Sequence, residues 1–316
     1  MTPTIFCGAY ILDLIIGDPR WAPHPVVLIG RLGRFLEEKI RRGFLPVDER
    51  KGGIVLWFSV VIAVYCVTWG IVTVCFSIQH VIGMAVAMIL GSLTLATRSL
   101  YGESRIVIDA LESGDIVEAR RRLSMIVGRD TENLDERGIL RAVIETVSEN
   151  LSDGIVAPLF YLAIGGVPLA MAYKAVNTLD SMVGYQNQLY GDIGFFSAKM
   201  DDGANWIPAR ITGALIVVVS FMARLNAGES WTMMIRDGGN HASPNSGIPE
   251  AAMAGALGVQ LGGRIQYSGE VYDKPTIGDR RKAIEKRDVA RAWGVMFGSS
   301  FLMAGLCLTV MWIVQS

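Results

Sequence analysis

Residues 52–97 read GGIVLWFSVVIAVYCVTWGIVTVCFSIQHVIGMAVAMILGSLTLAT and contain no Asp, Glu, Lys or Arg over 46 positions. One membrane-crossing helix needs about 20 apolar residues, so this stretch holds two. Backbone N–H and C=O groups in lipid must be satisfied within the segment that carries them. The stretch therefore predicts a helical hairpin, with spans over 54–76 and 81–97 and a turn at 77–80.

Outward from this hairpin the apolar pattern repeats. Residues 292–316 are free of charge and predict a span over 292–314. Residues 154–173 are also uncharged, but Pro158, Gly165, Gly166 and Pro168 interrupt them, which predicts a broken or re-entrant segment of the kind that lines a cavity. A fifth span over 203–223 has to enclose Arg210, and a guanidinium at that depth faces protein, water or ligand. The run 5–16 is shorter than a span, holds Asp13 and lacks the basic region of a signal peptide, so it reads as a retained, partly embedded helix. The expectation is an all-α, polytopic membrane protein forming one domain over 1–316, with about four to six embedded helices.

Composition agrees with that class. The 316 residues are 51% hydrophobic and 19% charged, below the roughly 25% charged of soluble domains, and the mean hydropathy is +0.39. Twenty-nine Lys and Arg against 30 Asp and Glu supply no field for a nucleic-acid partner. Cys7, Cys66, Cys75 and Cys307 all lie in apolar stretches without metal-ligand spacing and read as small hydrophobes.

The polar segments 17–53, 98–153 and 224–291 carry 8, 8 and 10 Lys or Arg, against three in 174–210. The positive-inside rule sets the first three in the cytoplasm. Strict alternation would put 174–210 outside; a re-entrant or tilted 154–173 would bring it back, and labelling at Asn187 separates the two. Amphipathic helices are predicted over 115–127 and 134–151, with Gly128 and Gly154 as stop signals.

Four polar clusters could carry chemistry. Gly17-Asp18-Pro19-Arg20 with His24-Pro25 sets an acid, an anion-binding fork and a titratable ring at the membrane edge, or forms a turn with an interfacial ion pair. Arg129-Asp130-Thr131 precedes Arg141, Glu145, Glu149, Asn150 and Asp153; the i, i+4, i+8 spacing puts Arg141, Glu145 and Glu149 on one helical face. That face is either a solvated ion-pair stripe or a Mg²⁺ site completed by substrate phosphates. Lys174, Asn177, Asp180 and Ser181 follow, then Asp201-Asp202 with Asn205, Trp206 and Arg210. Lys174 there is either a snorkelling cation or a member of a buried polar set. The fourth cluster is His241-Ala242-Ser243-Pro244-Asn245-Ser246-Gly247-Ile248-Pro249-Glu250, a rigid polar loop ahead of a small-residue helix. No Walker loop, H-E-x-x-H or G-x-S-x-G occurs.

Together these ordered motifs, spread from Gly17 to about Gly269, resemble the adenosylcobinamide-phosphate synthases of cobalamin biosynthesis, the CobD/CbiB type of membrane protein. The motifs are GDPR with HPV, VGRDT, ENLSDG leading to APLF, YKAVNTLDSMVGY, DDxANWxPAR and HxSPNxG. Ala242 departs from the Pro expected in relatives. The resemblance implies a cell-membrane enzyme that uses ATP, with Mg²⁺, to join adenosylcobyric acid through its ring D propionate to (R)-1-aminopropan-2-ol or its O-phosphate. It also implies a possible partner enzyme supplying the amino alcohol phosphate. On that resemblance Glu145, Glu149 and Asp153, or Asp201 and Asp202, are expected to hold Mg²⁺. Lys174, Arg129 and Arg210 are expected to hold phosphates, and His241 or Asp180 to take the amine proton. Asp18, Arg20, His24, Asp130, Asn150, Asn177, Asn205, Ser243 and Asn245 complete the expected substrate- and ATP-binding set.

Two rival readings come from the same residues. A transporter would also use broken spans, but no inverted repeat is present. Asp153-Gly154-x-x-Ala157 resembles the start of a lipid phosphotransferase motif, yet Pro158 stands where that motif needs Arg.

Overall fold

The computed structural model describes residues 1–18, 24–43, 48–185, 189–267 and 270–315; Arg20 and Asn187 lie outside them. Five helical runs are long and apolar enough to cross a membrane: Glu49–Ile78, His80–Glu112, Glu136–Val183, Phe195–Met222 and Lys286–Val314. The chain is a helical, multi-pass membrane protein.

The helices are α1 (Pro3–Ile16), α2 (Pro25–Arg41), α3 (Glu49–Ile78), α4 (His80–Ser92), α5 (Thr97–Glu112), α6 (Ile116–Leu123), α7 (Glu136–Asn150), α8 (Ala157–Val183), α9 (Phe195–Met222), α10 (Ala227–Asp237), α11 (Gly247–Leu257) and α12 (Lys286–Gln315). A two-stranded antiparallel sheet, β1 (Leu261–Tyr267) and β2 (Glu270–Ile277), interrupts the helical pattern. The charge-free stretch folds as two helices, the second of which ends at Ser92 and not at 97. The 30 residues of α3 extend about 45 Å at 1.5 Å per residue, and α4 begins one residue beyond Gln79, the residue that ends α3. Phe58, Ile62, Val67, Trp69 and Val74 are exposed along α3, a surface suited to lipid. Asp48 opens the helix by accepting the Lys51 N–H at 2.9 Å.

One detail differs from expectation. Gly154 does not end a helix. A π-helical stretch, Leu151–Val156, follows α7 and leads directly into α8, so the wider i→i+5 turn absorbs Gly154 without a positive φ. The interruption of 154–173 falls at Gly166, one of the positions named for it, where φ is 68° ahead of Pro168. Pro168 has no N–H and so cannot continue the ladder there.

The chain packs as two compact units. The first comprises Met1–Ala96, Ala157–Asn205 and Ala304–Ser316. In it α3 packs on α8, α4 and α2, and α1 packs on α4. Leu56, Trp57, Val60, Ala175, Leu179 and Ile193 form a buried core.

The second unit comprises Thr97–Val156 and Trp206–Met303. Here α10 packs on α11, α5 and α6 pack on α7, and the hairpin packs on α7 and α11. A Cβ on Gly255 of α11 would sit 2.3 Å from the Glu229 carbonyl, so the α10–α11 contact depends on backbone approach. Asp237, buried at the end of α10, accepts the Gly278 N–H at 2.7 Å and the Arg236 guanidinium, fixing the far end of β2. The sequence reading of 224–291 as a polar helical segment contains no strand; the hairpin is new.

Candidate active site

In the second unit, α7 presents Glu145 and Glu149 one turn apart. Glu145 is 7% exposed, and a charge so enclosed needs a partner. It has two: the Arg129 guanidinium, which donates from Nη2 to Oε2, and the Gly262 N–H, which donates to Oε1 at 2.7 Å. Arg129 is thereby committed to a carboxylate on its own chain.

The second donor exists because of a local distortion. The pairing of β1 with β2 slips between Gly262 and Arg264, a bulge that Gly262 enters with φ 71°. The same residue is used twice, because the Gly262 C=O accepts from Arg141 Nη1 at 3.1 Å. A Cβ at this position would lie 2.4 Å from the Pro275 carbonyl. Gly262→Ala is expected to cost more than about 1 kcal/mol and to lower the unfolding midpoint in detergent.

Glu149 accepts the Ser246 hydroxyl at 3.1 Å. His241 stands beside it, also facing the charges of Glu145 and Lys274. Ser243 organises the loop, its Oγ accepting the Asn245 and Ser246 N–H groups at 3.2 and 3.4 Å. The Ser243 N–H in turn donates to His241 Nδ1 at 3.0 Å. That bond fixes the neutral ring with its proton on Nε2. Burial holds His241 below its ordinary range, so the ring is neutral at pH 7. With Nδ1 occupied by the Ser243 N–H, the other ring nitrogen is the one left to donate.

Glu250, 5% exposed on α11, completes a trio of carboxyls. Burial, then the charges of Glu145 and Glu149, hold it well above the ordinary carboxylate range. A group that keeps its proton in the fold but loses it in the unfolded chain above about pH 4.5 makes stability fall as pH rises toward the folded-state value. Glu250→Gln removes that slope. Unfolding midpoints between pH 5 and 8 are expected to fall with pH in the native protein and to stay flatter in the variant.

Arg210 reaches the same loop. Its Nη1 donates to Asn245 Oδ1 at 3.1 Å and to the Trp206 C=O at 2.8 Å, and its guanidinium lies 4.3 Å from the Trp206 ring centroid. It faces protein, as its depth in the sequence required. Asn150 donates back to Thr146 O at 3.0 Å, and half-buried Asp130 and Asp153 complete the sequence-derived set in this unit.

The first unit holds a second polar set. Lys174, Asn177 and Asp180 are half-buried along one face of α8. Asp201 of α9 accepts Asn177 Nδ2 at 3.4 Å and Asn205 Nδ2 at 3.0 Å. Asn205 Oδ1 accepts the Tyr173 hydroxyl at 2.7 Å. The negative charges of Asp180 and Asp202 face Asp201, while Asp202 also pairs with Lys199 at 3.1 Å. Near the N-terminus, His24 caps α2 by accepting the Val26 N–H on Nδ1, which leaves Nε2 to bond Asp18 at 3.0 Å.

Among the described residues no three His, Cys, Asp or Glu side chains gather as a metal cage. Mg²⁺ needs fewer, because one or two carboxylates plus substrate phosphates and water suffice. Asp201 and Asp180, facing like charges beside two carboxamides, fit that requirement. Glu145 fits it poorly, since a guanidinium and an N–H already occupy its two oxygens.

Lys274 and Gly262 were not picked out by the sequence reading, and Ser246, Glu250 and Tyr173 were named only as members of motifs, without a role. Glu250 stands at the end of the His241 motif, and Ser268-Gly269 is a turn-type dipeptide that signals the hairpin carrying Gly262.

Comparison with known proteins agrees with this arrangement of motifs. The family model described as CobD/Cbib protein matches residues 6–296. Cobalamin biosynthesis protein CobD of Geobacter metallireducens is 51% identical over 97% of both chains, and that of Clostridium perfringens is 49% identical over 97% of both. Cobalamin biosynthesis protein CbiB of Salmonella typhimurium is 47% identical over 98% of this chain and 97% of its own. No solved structure matches. With nearly the whole chain aligned, and with the motifs that build the Glu145–Glu149–His241 cluster inside the matched range, the chain belongs to the CobD/CbiB family of cobalamin biosynthesis proteins.

Proposed function

We propose that this chain forms an amide bond at the expense of ATP, joining the ring D propionate of adenosylcobyric acid to (R)-1-aminopropan-2-ol or its O-phosphate. The observation that supports this most directly is that Glu149 anchors the His241 loop through the Ser246 hydroxyl, while the Ser243 N–H holds the His241 ring with its proton on Nε2.

The chemistry follows from what an amide needs. A carboxylate does not accept an amine, so its oxygen first attacks the γ-phosphorus of ATP, ADP leaves, and an acyl phosphate forms. The amine nitrogen then attacks the carbonyl carbon and phosphate departs. Glu149 takes the proton the nitrogen loses, and His241 Nε2–H donates to the carbonyl oxygen as negative charge builds there. Arg210, which reaches the His241 loop through Asn245, holds phosphate oxygens. Within the first unit taken by itself, Asp201 and Asp180 are the residues that would hold Mg²⁺, a cation that supplies charge neutralisation to phosphate. The reading takes the cell membrane as the location, because the basic segments 98–153 and 224–291 then share the cytoplasm with ATP. An enzyme making the amino alcohol phosphate is the natural supplier.

Detergent-purified protein, adenosylcobyric acid, Mg²⁺, ATP and each amine in turn are the test, read by mass spectrometry. An amide that appears only with ATP supports the reading. No amide with either amine, from protein that remains folded, overturns it and favours transport.

A further inference from the structure

The second unit contains a cavity of about 250 Å³ beside the polar motifs. Arg137, Arg141, Arg280 and Lys282 line it, with Asp135 and Gln260. Four cations thus face one carboxylate, and that carboxylate is engaged: Asp135 caps α7 by accepting the Gly138 N–H at 2.7 Å. Lys282 is paired with buried Asp288.

The three arginines are less committed. Among the described residues Arg137 and Arg280 have no ion-pair partner. Arg141 donates to the Gly262 C=O, but its buried Nε–H has no acceptor. Arg137 and Arg141 are one helical turn apart on α7, an i, i+4 spacing at which like charges repel. Repulsion of that kind is relieved by an anion shared between the two. Guanidinium forks match the paired oxygens of phosphate. A volume of this size admits a phosphate monoester or a phosphoryl chain.

The cavity also adjoins the Glu145 cluster. One residue, Gly262, gives its C=O to Arg141 on the cavity side and its N–H to Glu145 on the other. We propose that this cavity binds the phosphate group of a soluble substrate. Which substrate it serves rests on the amide-ligation reading, in which ATP and the amino alcohol phosphate both carry phosphate; the anion site itself does not.

Full-length protein in phosphatidylcholine nanodiscs, titrated calorimetrically without corrinoid, tests this independently of turnover. The probes are tripolyphosphate, standing for the nucleotide chain, and aminopropanol O-phosphate. Arg137→Gln/Arg280→Gln changes two exposed side chains, and its unfolding midpoint checks that the fold is kept. The native protein is expected to bind at least one probe, more weakly as salt is added, and the double variant at least tenfold more weakly again. Loss confined to tripolyphosphate assigns the cavity to the nucleotide, and loss confined to the monoester assigns it to the amino alcohol. No binding of either probe by the native protein, or equal affinities in native and variant protein, overturns the proposal. Because no amide is made in this experiment, a failed ligation assay leaves it standing, and its own failure leaves the ligation reading intact.

Discussion

Glu149→Gln is expected to leave a folded protein that makes amide about 10²–10⁴-fold more slowly, the range lost when a positioned proton acceptor is removed. Glutamine keeps a carbonyl oxygen where Glu149 accepts the Ser246 hydroxyl, so the loop that carries His241 stays anchored. What disappears is the capacity to take a proton. Initial rates at saturating amine, with corrinoid binding measured alongside, separate this from a binding defect. A variant within threefold of the native rate would assign the proton to another group. His241→Ala is the companion measurement: a donor to a developing oxyanion is worth about 10²–10³-fold, and its loss should lower the rate without removing an acid limb from the pH profile.

The largest effect on stability is expected at Arg129. Its guanidinium is the cationic partner of Glu145, and both side chains are nearly enclosed, at 12% and 9% exposure. Arg129→Met strands a buried carboxylate, which costs about 3–5 kcal/mol. Adding Glu145→Gln removes the stranded charge while keeping an oxygen for the Gly262 N–H, so the double variant should recover most of the loss. Unfolding midpoints of the native protein, both single variants and the double variant form a cycle. Additive losses would mean that the pair contributes nothing as a pair.

The membrane part of the fold was legible because lipid allows so few solutions. Forty-six residues without a charge favour helix, and α3 and α4 occupy most of that stretch, α4 ending at Ser92. The departures are places where a local signal has two physical outcomes. Gly154 marks a helix end in water, but followed by Ile155, Val156 and Ala157 it was carried through a π turn that leads on into α8. Residues 261–277 mix Gly, charge and aromatic side chains, a pattern too irregular for a period-2 reading, and the strands there pair through a bulge.

The site was legible as composition and not as wiring. Spacing put Glu145 and Glu149 on one face of α7, and the structure keeps them there. Nothing in the spacing told which would be neutralised. That depends on Arg129, 16 residues earlier, and on a backbone N–H 117 residues later. The role of His241 turned on a single backbone bond to Nδ1, which residue identities do not encode.

The double use of Gly262 has a consequence for how the site can be watched. Its N–H is bound to a carboxylate and its C=O to a guanidinium, so that amide proton exchanges with solvent only when the hairpin leaves α7. Its deuterium uptake is a clock on that opening. The clock is built into the backbone, so it needs no added label, and a ligand that tightens the Glu145 cluster will slow it.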